Sequence, residues 1–157
     1  MSITLCFIKQ SYFIARSDFQ NILDPGDVNK QAHRAHLSVK ISSDGNDYYI
    51  PLRNNLGPDV RVFGRIGHSV PSNKRSSAGL DYRYTLIVND AAEIEIPTTQ
   101  KIPKSQLTII TDDFDQIQKE FEQYLKGFKK AARKKRIERE PLYRVSSLVN
   151  FLSELGL

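Results

Sequence analysis

Residues 35–52 read AHLSVKISSDGNDYYIPL and combine two segments of strand character with a turn between them. Apolar and polar residues alternate over residues 35–42, which is the pattern of a strand with one buried face. Residues 43–46, SDGN, are typical of a hairpin turn, and residues 47–52 form the second strand. Its proline, Pro51, predicts a strand end or a sheet edge, because proline donates no backbone hydrogen bond. The segment therefore predicts an antiparallel hairpin.

The sequence on either side of this hairpin predicts further short strands. The apolar run at residues 3–8 indicates a buried first strand, and residues 24–27, DPGD, indicate a turn. Residues 53–80 are rich in glycine, proline and polar residues, which predicts a long loop of the kind that carries functional groups. Strand character returns at residues 82–88 and more weakly at residues 93–96 and 107–110.

The last third of the chain predicts helices. Apolar residues recur at steps of three and four over residues 114–128, and an acidic cluster lies at the start of this segment, where a helix dipole favours anions. The members of that cluster are Asp112, Asp113 and Asp115. Pro141 should end this helical run, and residues 148–155 predict a shorter C-terminal helix. Strands followed by helices predict an α+β fold, and 157 residues with 39% hydrophobic content predict a single domain over residues 1–157.

The charge of the chain is concentrated in one region. Lysine and arginine outnumber aspartate and glutamate by 23 to 18, and residues 126–144 account for this excess. Such a surface suits the phosphates of RNA or DNA or an acidic protein, and it is also compatible with a solvated helix end. The candidate RNA-binding residues in this region are Lys126, Lys129, Lys130, Arg133, Lys134 and Arg136.

Several functional classes lack their sequence signatures. The single cysteine, Cys6, excludes an internal disulfide and a multi-cysteine zinc site. No apolar run approaches the roughly 20 residues of a membrane span, so we expect no membrane partner and a cytoplasmic location. Glycine-rich phosphate loops, metalloprotease and serine-hydrolase motifs and acidic clusters at metal-binding spacing are missing from the sequence. We therefore expect neither a cofactor nor a metal.

One group of candidate catalytic residues surrounds the start of the hairpin. Histidine and arginine suit RNA cleavage, in which a base accepts the proton of the 2′-hydroxyl and cations stabilise the pentacovalent phosphate. His33, Arg34 and His36 precede or open the first strand, where alternate residues share a face. Arg34 and His36 would then point together and His33 away from them. A pair of surface histidines without a chemical role is the competing interpretation.

A second group lies in and beside the long loop. Arg53, Asn54 and Asn55 follow the second strand and could donate hydrogen bonds to phosphate oxygens or base edges, although asparagine is also a common turn residue. Further cationic or titratable candidates are His68, Lys74, Arg75 and Arg83. If Arg83 faces inward, its buried charge needs an anionic partner, either a carboxylate or a substrate phosphate. Candidate platforms for base stacking are Tyr12, Tyr48, Phe63 and Tyr82.

The order of these features resembles the endoribonuclease toxins of type III toxin–antitoxin systems, the ToxN/AbiQ superfamily, and within it the TenpN branch. The similar segments are an aromatic first strand followed by Tyr12, the strand at residues 36–41, the YIPL strand at residues 49–52 and the GLDYRY segment at residues 79–84 before a long helix. One feature departs from the family pattern. The family carries Thr/Ser-Ser and a lysine after Pro-Leu, where this chain has residues 53–55, RNN.

This resemblance implies a compact, strongly curved, barrel-like antiparallel sheet with helices packed around it. It also implies metal-independent RNA cleavage to a 2′,3′-cyclic phosphate, as in phage-defence systems. The implied partner is a repeated, pseudoknotted small antitoxin RNA, which the enzyme processes and holds in a protein–RNA hetero-oligomer. The departure leaves two alternatives, namely catalysis by groups such as His33, Arg34, His36 or His68, or no catalysis. A non-catalytic nucleic-acid-binding module and an adaptor for an acidic protein stay open as other functions.

Overall fold

The computed structural model describes residue 3 and residues 5–41, 44–60, 66–99 and 102–157. Its strands are β1 (Leu5–Ile8), β2 (His36–Lys40), β3 (Asp47–Arg53), β4 (Gly67–Ser69), β5 (Gly79–Asp81), β6 (Leu86–Ile87) and β7 (Ile94–Glu95). Its α-helices are α1 (Gln10–Ala15), α2 (Val28–His33), α3 (Lys104–Asp112) and α4 (Phe114–Arg133). Short 3₁₀ helices cover Tyr82–Tyr84, Ala91–Glu93, Ile137–Arg139 and Ser147–Phe151. The predicted α+β class is confirmed.

The strands form one antiparallel sheet in the order β4-β5-β3-β2-β1-β7, with β6 beside β3. The predicted hairpin is confirmed, with Leu37 of β2 opposite Ile50 of β3 and Val39 opposite Tyr48. Within the described strands the sheet stays open, since β4 and β7 lie at its two ends. The expected barrel-like core is therefore an open sheet, whose end strands of two and three residues leave little unpaired backbone.

Pro51 does not mark an end or an edge of the sheet, because β3 runs on to Arg53 as a central strand. The Leu52 amide donates to the Ala35 carbonyl, so the neighbouring backbone nitrogen of Pro51 faces the opposite side of β3. On that side, β6 pairs with residues 48–49 and β5 pairs with residues 52–53. Pro51 lies between these two partners, where no hydrogen-bond donor is required.

The predicted loop at residues 53–80 contains β4 and the start of β5, which pair with each other as a hairpin. At its tip, the Ser72 amide donates to the Arg75 carbonyl and the Arg75 amide donates to the Ser72 carbonyl. The segment is therefore held by backbone pairing where an irregular connection was expected. One of its glycines has a steric role, since a side chain at Gly79 would lie 2.3 Å from the His68 carbonyl oxygen.

Two of the predicted strands differ in the structure. Over residues 82–88, only β6 is a strand, because the Asp81 carboxylate accepts the Arg83 amide and initiates a 3₁₀ turn. Residues 107–110 belong to α3, which packs the buried Ile110 against the core. The β-branched residues of this segment favour a strand only weakly, and its packing against the core determines that it is helical. The predicted strand at residues 93–96 is present as β7.

The predicted long helix is α4, whose buried face comprises Ile117, Phe121, Tyr124, Leu125 and Phe128. The helix ends at Arg133, well before Pro141, so the proline does not terminate it. Lys135 adopts a left-handed conformation, and the Arg136 amide bonds back to the Ala131 carbonyl as in a Schellman motif. The expected C-terminal helix is a single 3₁₀ segment. None of the described helices has both the length and the apolarity to cross a bilayer.

Candidate nucleic-acid interface

A cleft of about 1130 Å³ lies at the open end of the β2–β3 hairpin. One wall is α2 with the segment that leads into β2, and the other is the tip of the β4–β5 hairpin. The end of β1, residue 95 of β7 and the start of α3 complete the lining. The apolar residues of the lining are Phe7, Ile8, Ala32, Ala35, Leu52, Ile102 and Pro103. Such a surface can contact the faces of bases while polar groups bind their edges and phosphates.

The α2 wall is built by a capped helix. The predicted turn at residues 24–27 is confirmed by a hydrogen bond from the Asp27 amide to the Asp24 carbonyl. The Asp27 side chain then accepts the Lys30 amide and caps α2. At the other end of α2, Arg34 donates to the Asp24 carboxylate at 2.7 Å and to the Leu52 carbonyl at 3.3 Å. These contacts tie the wall to β3.

The cleft carries an excess of positive charge. Its cationic side chains are Lys9, Lys30, Arg34, Lys74 and Arg75. Two carboxylates, Asp24 and Glu95, also line it, and the first of them is paired with Arg34. Because field lines concentrate in a concave surface of low dielectric, these cations favour a polyanionic ligand. The arrangement can bind the phosphates of a nucleic-acid strand.

The structure brings together only part of the predicted site. His33, Arg34, Asn54, Lys74 and Arg75 all line the cleft. Sequence reasoning missed Lys9 and Lys30, together with the neutral polar groups Gln10, Ser72, Asn73, Ser105 and Gln106. A helix at residues 28–33 places Lys30 on the same face as His33 and Arg34, which follow it by three and four residues. That helix was not predicted.

His36 lies outside the cleft lining and is almost fully buried in β2. Its Nδ1 lies 3.0 Å from the Arg34 carbonyl oxygen, which can only accept, so Nδ1 carries the hydrogen. Burial lowers the pKa of His36 to about 4, so the ring is neutral at physiological pH. The structure does not support the prediction that His36 meets the substrate, because the ring is sequestered from solvent.

Arg53 and Arg83 belong to a buried ion cluster. Arg53 Nη1 and Arg83 Nη2 each lie 2.9 Å from Oδ2 of Asp81, a carboxylate with no exposed surface. Arg83 also contacts Asp59 at 3.0 Å, and both guanidinium groups flank the ring of Tyr84. Burial opposes the charge of Arg83, but hydrogen bonds and attraction from Asp81 raise its pKa above the ordinary value. The anion that Arg83 was expected to need is therefore a carboxylate, and the cluster secures the segment that follows β3.

His68 connects β4 to α4. Its Nδ1 lies 2.9 Å from Glu120 Oε1, and its Nε2 lies 2.9 Å from Asp113 Oδ2. Burial of Glu120 opposes ionisation, but hydrogen bonds from His68, Gln116 and Tyr82 outweigh it and lower the pKa of Glu120. The carboxylate of Asp113 binds His68 and does not cap the N-terminus of α4. His68 forms an internal tie between β4 and α4, outside the cleft lining.

Three predicted stacking residues lie in the core. Tyr12, Tyr48 and Tyr82 are almost fully buried, so their ring faces are not open to a base. The hydroxyl of Tyr12 donates to the Ile87 carbonyl, which is typical of a structural tyrosine. Phe63 lies outside the described residues. Asn55 forms a turn through its Oδ1, which accepts the Gly57 amide, and it is not part of the cleft lining.

The basic end of α4 is a second cationic surface. Lys126, Lys130, Arg133, Lys134 and Arg136 are exposed, while Lys129 lies 3.9 Å from Asp44 in the β2–β3 turn. The cleft is at the other end of this hairpin. Because β3 spans seven residues at roughly 3.3 Å each, about 20 Å of strand separates the two surfaces.

No group of three or more potential metal ligands occurs among the described residues. No family model matches the chain, and no curated protein matches it. Its fold is similar to that of a solved structure from a bacterial type III toxin–antitoxin system, whose toxin is selectively inhibited by a non-coding RNA pseudoknot. The TM-score is 0.57 at 15% sequence identity, over 79% of this chain and 78% of the other. This similarity shows that the two proteins share a fold.

Proposed function

We propose that the protein is a metal-independent endoribonuclease toxin of a type III toxin–antitoxin system and that the cleft is its RNA site. The observation that carries this proposal is the convergence of five cations in one cleft on a fold shared with such a toxin. We further propose that residues 1–157 act as a single domain in the cytoplasm, where the RNA partners are found.

The cleft supplies groups that suit cleavage by the 2′-hydroxyl. In this reaction the 2′-oxygen attacks phosphorus, and negative charge develops on the non-bridging oxygens before the bond to the 5′-oxygen breaks. Arg34, Lys74 and Arg75 can neutralise that charge, and Asn54 can donate to a phosphate oxygen or a base edge. The apolar lining, including Leu52 and Ile102, can contact an unpaired base. In this proposal Asn54 occupies the region where the resembling family carries hydroxyl side chains.

The proposed inhibitor is a small repeated RNA that the enzyme itself processes. A folded RNA that fills the cleft excludes other substrates, and the basic end of α4 offers phosphate contacts about 20 Å away along the β2–β3 hairpin. An RNA that contacts both surfaces would bind more tightly than a short single strand, because its second contact is intramolecular. Such binding favours a closed protein–RNA assembly.

Expression of the protein without its RNA inhibitor tests this function directly. We expect growth arrest, together with fragments of cellular RNA that carry 2′,3′-cyclic phosphate ends and still form in the presence of EDTA. Tandem direct repeats immediately upstream of the coding sequence would identify the inhibitor. Normal growth of cells that accumulate the folded protein, with intact RNA, would refute the proposal.

Charge reversal in the cleft should abolish cleavage. In the double variant K74E/R75E, two cations at the hairpin tip become anions, so we expect weaker RNA binding at every sequence and loss of growth arrest. If each residue contacts one phosphate, the slope of log Kd against log salt should fall by about 2. Filter binding at several salt concentrations and a cleavage assay on labelled RNA measure both effects.

The matched control reverses two charges at the helix end, in K130E/R133E. This variant should bind RNA more weakly but cleave at the wild-type rate when RNA is saturating. Cleavage that survives K74E/R75E and disappears in K130E/R133E would move the active site away from the cleft.

A non-catalytic nucleic-acid-binding module is the second candidate function. The observation that favours it is the exposed cationic end of α4, which lies apart from the cleft. This function predicts salt-sensitive binding of RNA or DNA that depends on Lys130 and Arg133, with no cleaved product. The cleavage assay separates the two functions.

A further inference from the structure

We propose that His33 is the general base of the cleft, the group that accepts the proton of the attacking 2′-hydroxyl. This inference rests on the proposed ribonuclease function and adds the residue that would start the reaction. The three histidines of the chain all lie in described segments, and each has different hydrogen-bond partners.

The hydrogen bond at the end of α2 determines which nitrogen of His33 can act as a base. Nδ1 of His33 lies 2.6 Å from the backbone carbonyl oxygen of Asn29, and a carbonyl oxygen can only accept. Nδ1 must therefore carry the hydrogen, and in the neutral ring Nε2 carries the lone pair. The side chain is exposed and lines the cleft, so this lone pair belongs to a ring that solvent and substrate can reach.

The other two histidines cannot take this role in the same way. The ring of His36 is buried and bonded to the Arg34 carbonyl, outside the cleft lining. In His68, each ring nitrogen faces a carboxylate oxygen, from Asp113 or Glu120, so neither nitrogen offers a lone pair to a hydroxyl. Of the three rings, His33 alone combines an exposed position in the cleft with a hydrogen bond that leaves the second nitrogen as an acceptor.

The charged groups around His33 suit a phosphate substrate. On its own helix and the segment after it, Lys30 and Arg34 line the same cleft. From the other elements, Lys9, Lys74 and Arg75 face the cleft, as do the carboxylates Asp24 and Glu95. Because cations outnumber carboxylates and Asp24 is paired with Arg34, the cleft around the ring keeps a net positive charge that favours a phosphate group.

The proposed step exchanges one phosphorus–oxygen bond for another and moves one proton to His33. His33 Nε2 takes the proton of the 2′-hydroxyl while the 2′-oxygen forms its bond to phosphorus. The bond between phosphorus and the 5′-oxygen breaks with its electron pair, and the leaving 5′-oxygen takes a proton from water. The products are a 2′,3′-cyclic phosphate and a free 5′-hydroxyl, and the imidazolium then returns its proton to solvent.

The variant H33N tests the assignment, because an asparagine amide can donate to the Asn29 carbonyl in place of Nδ1 but provides no base. With a 5′-labelled RNA of randomised sequence as substrate, we expect H33N to cleave about 100-fold more slowly than wild type. Binding of the same RNA should be unchanged. The wild-type rate should fall as the pH is lowered, because a protonated ring accepts no second proton, and H33N should lose this dependence. Added imidazole should partly restore cleavage by H33A.

The control H36N makes the same exchange at the buried histidine and should keep both the rate at neutral pH and its fall in acid. Equal melting temperatures of H33N and wild type would show that the loss is not a folding defect. H33N that cleaves at the wild-type rate with the wild-type pH profile overturns the role of His33 and leaves the ribonuclease function standing. Wild-type protein that binds the RNA without cleaving it overturns both.

Discussion

Asp81→Asn is expected to lower the free energy of unfolding by about 3–5 kcal/mol, because it removes the buried charge that two arginines share. Asp81 is fully buried, and its carboxylate accepts hydrogen bonds from Arg53, from the guanidinium of Arg83 and from the Arg83 amide. Asparagine has nearly the same size but only one accepting oxygen and no charge. The variant therefore leaves Arg83, itself almost fully buried, with Asp59 as its carboxylate partner.

Denaturant unfolding of wild type and D81N measures this difference, and the melting temperature should fall by on the order of 10 °C. The control is Asp59→Asn, which removes a carboxylate from the same arginine at a half-exposed position. Exposed ion pairs contribute roughly 0–1 kcal/mol, so D59N should be close to wild type. Equal stability of D81N and wild type would contradict the description of this cluster as a structural ion network.

This cluster changes how substitutions of Arg53 and Arg83 are interpreted. Both were candidates for contact with phosphate, but their guanidinium groups bind Asp81. Under the proposed function, alanine at either position would restore growth by destabilising the fold, without the loss of a catalytic group. Growth rescue therefore identifies a catalytic group only for variants whose stability is unchanged, which is the expectation for residues of the cleft such as His33 and Lys74.

Acid should destabilise the protein through His36, by on the order of 3 kcal/mol between about pH 6.5 and pH 4. Burial lowers the pKa of His36 from its ordinary value of 6.5 to about 4 in the folded protein. Below pH 6.5 the unfolded chain binds a proton at this residue and the folded chain does not. Falling pH therefore favours the unfolded state, and the contribution of His36 is complete once the pH passes below about 4.

The measurement is the free energy of unfolding as a function of pH for wild type and H36N, which keeps a donor for the Arg34 carbonyl but does not titrate. The difference between the two curves isolates His36, because carboxylates such as Glu120 act in both proteins. We expect a steeper loss of stability in the wild type over this range. Parallel curves would show that His36 takes up its proton over the same pH range in the folded and unfolded states, which contradicts a lowered pKa.

The elements that depend on local pattern were predicted correctly. The strand β2 within the alternating segment, the helix with apolar spacing at residues 114–128 and the turn at residues 24–27 all formed as expected. Short elements were missed or misassigned, namely α1, α2 and the β4–β5 hairpin, together with residues 107–110. Such segments are stabilised mainly by contacts distant in sequence, which local patterns do not encode.

For the candidate site, the sequence specified the types of side chain but not which of them come together. It indicated candidate histidines, arginines and a cationic loop, because residue types and charge can be read directly from the sequence. The tertiary structure determined which of these side chains lie together in the cleft and which bind other residues of the protein. Long-range pairing places Lys74 and Arg75 across the cleft from α2. By contrast, Arg53 and Arg83 bind the carboxylate of Asp81. His68 binds the carboxylate of Glu120. A titratable side chain becomes a reactive group or a structural one according to its burial and partners, and only the folded chain determines both.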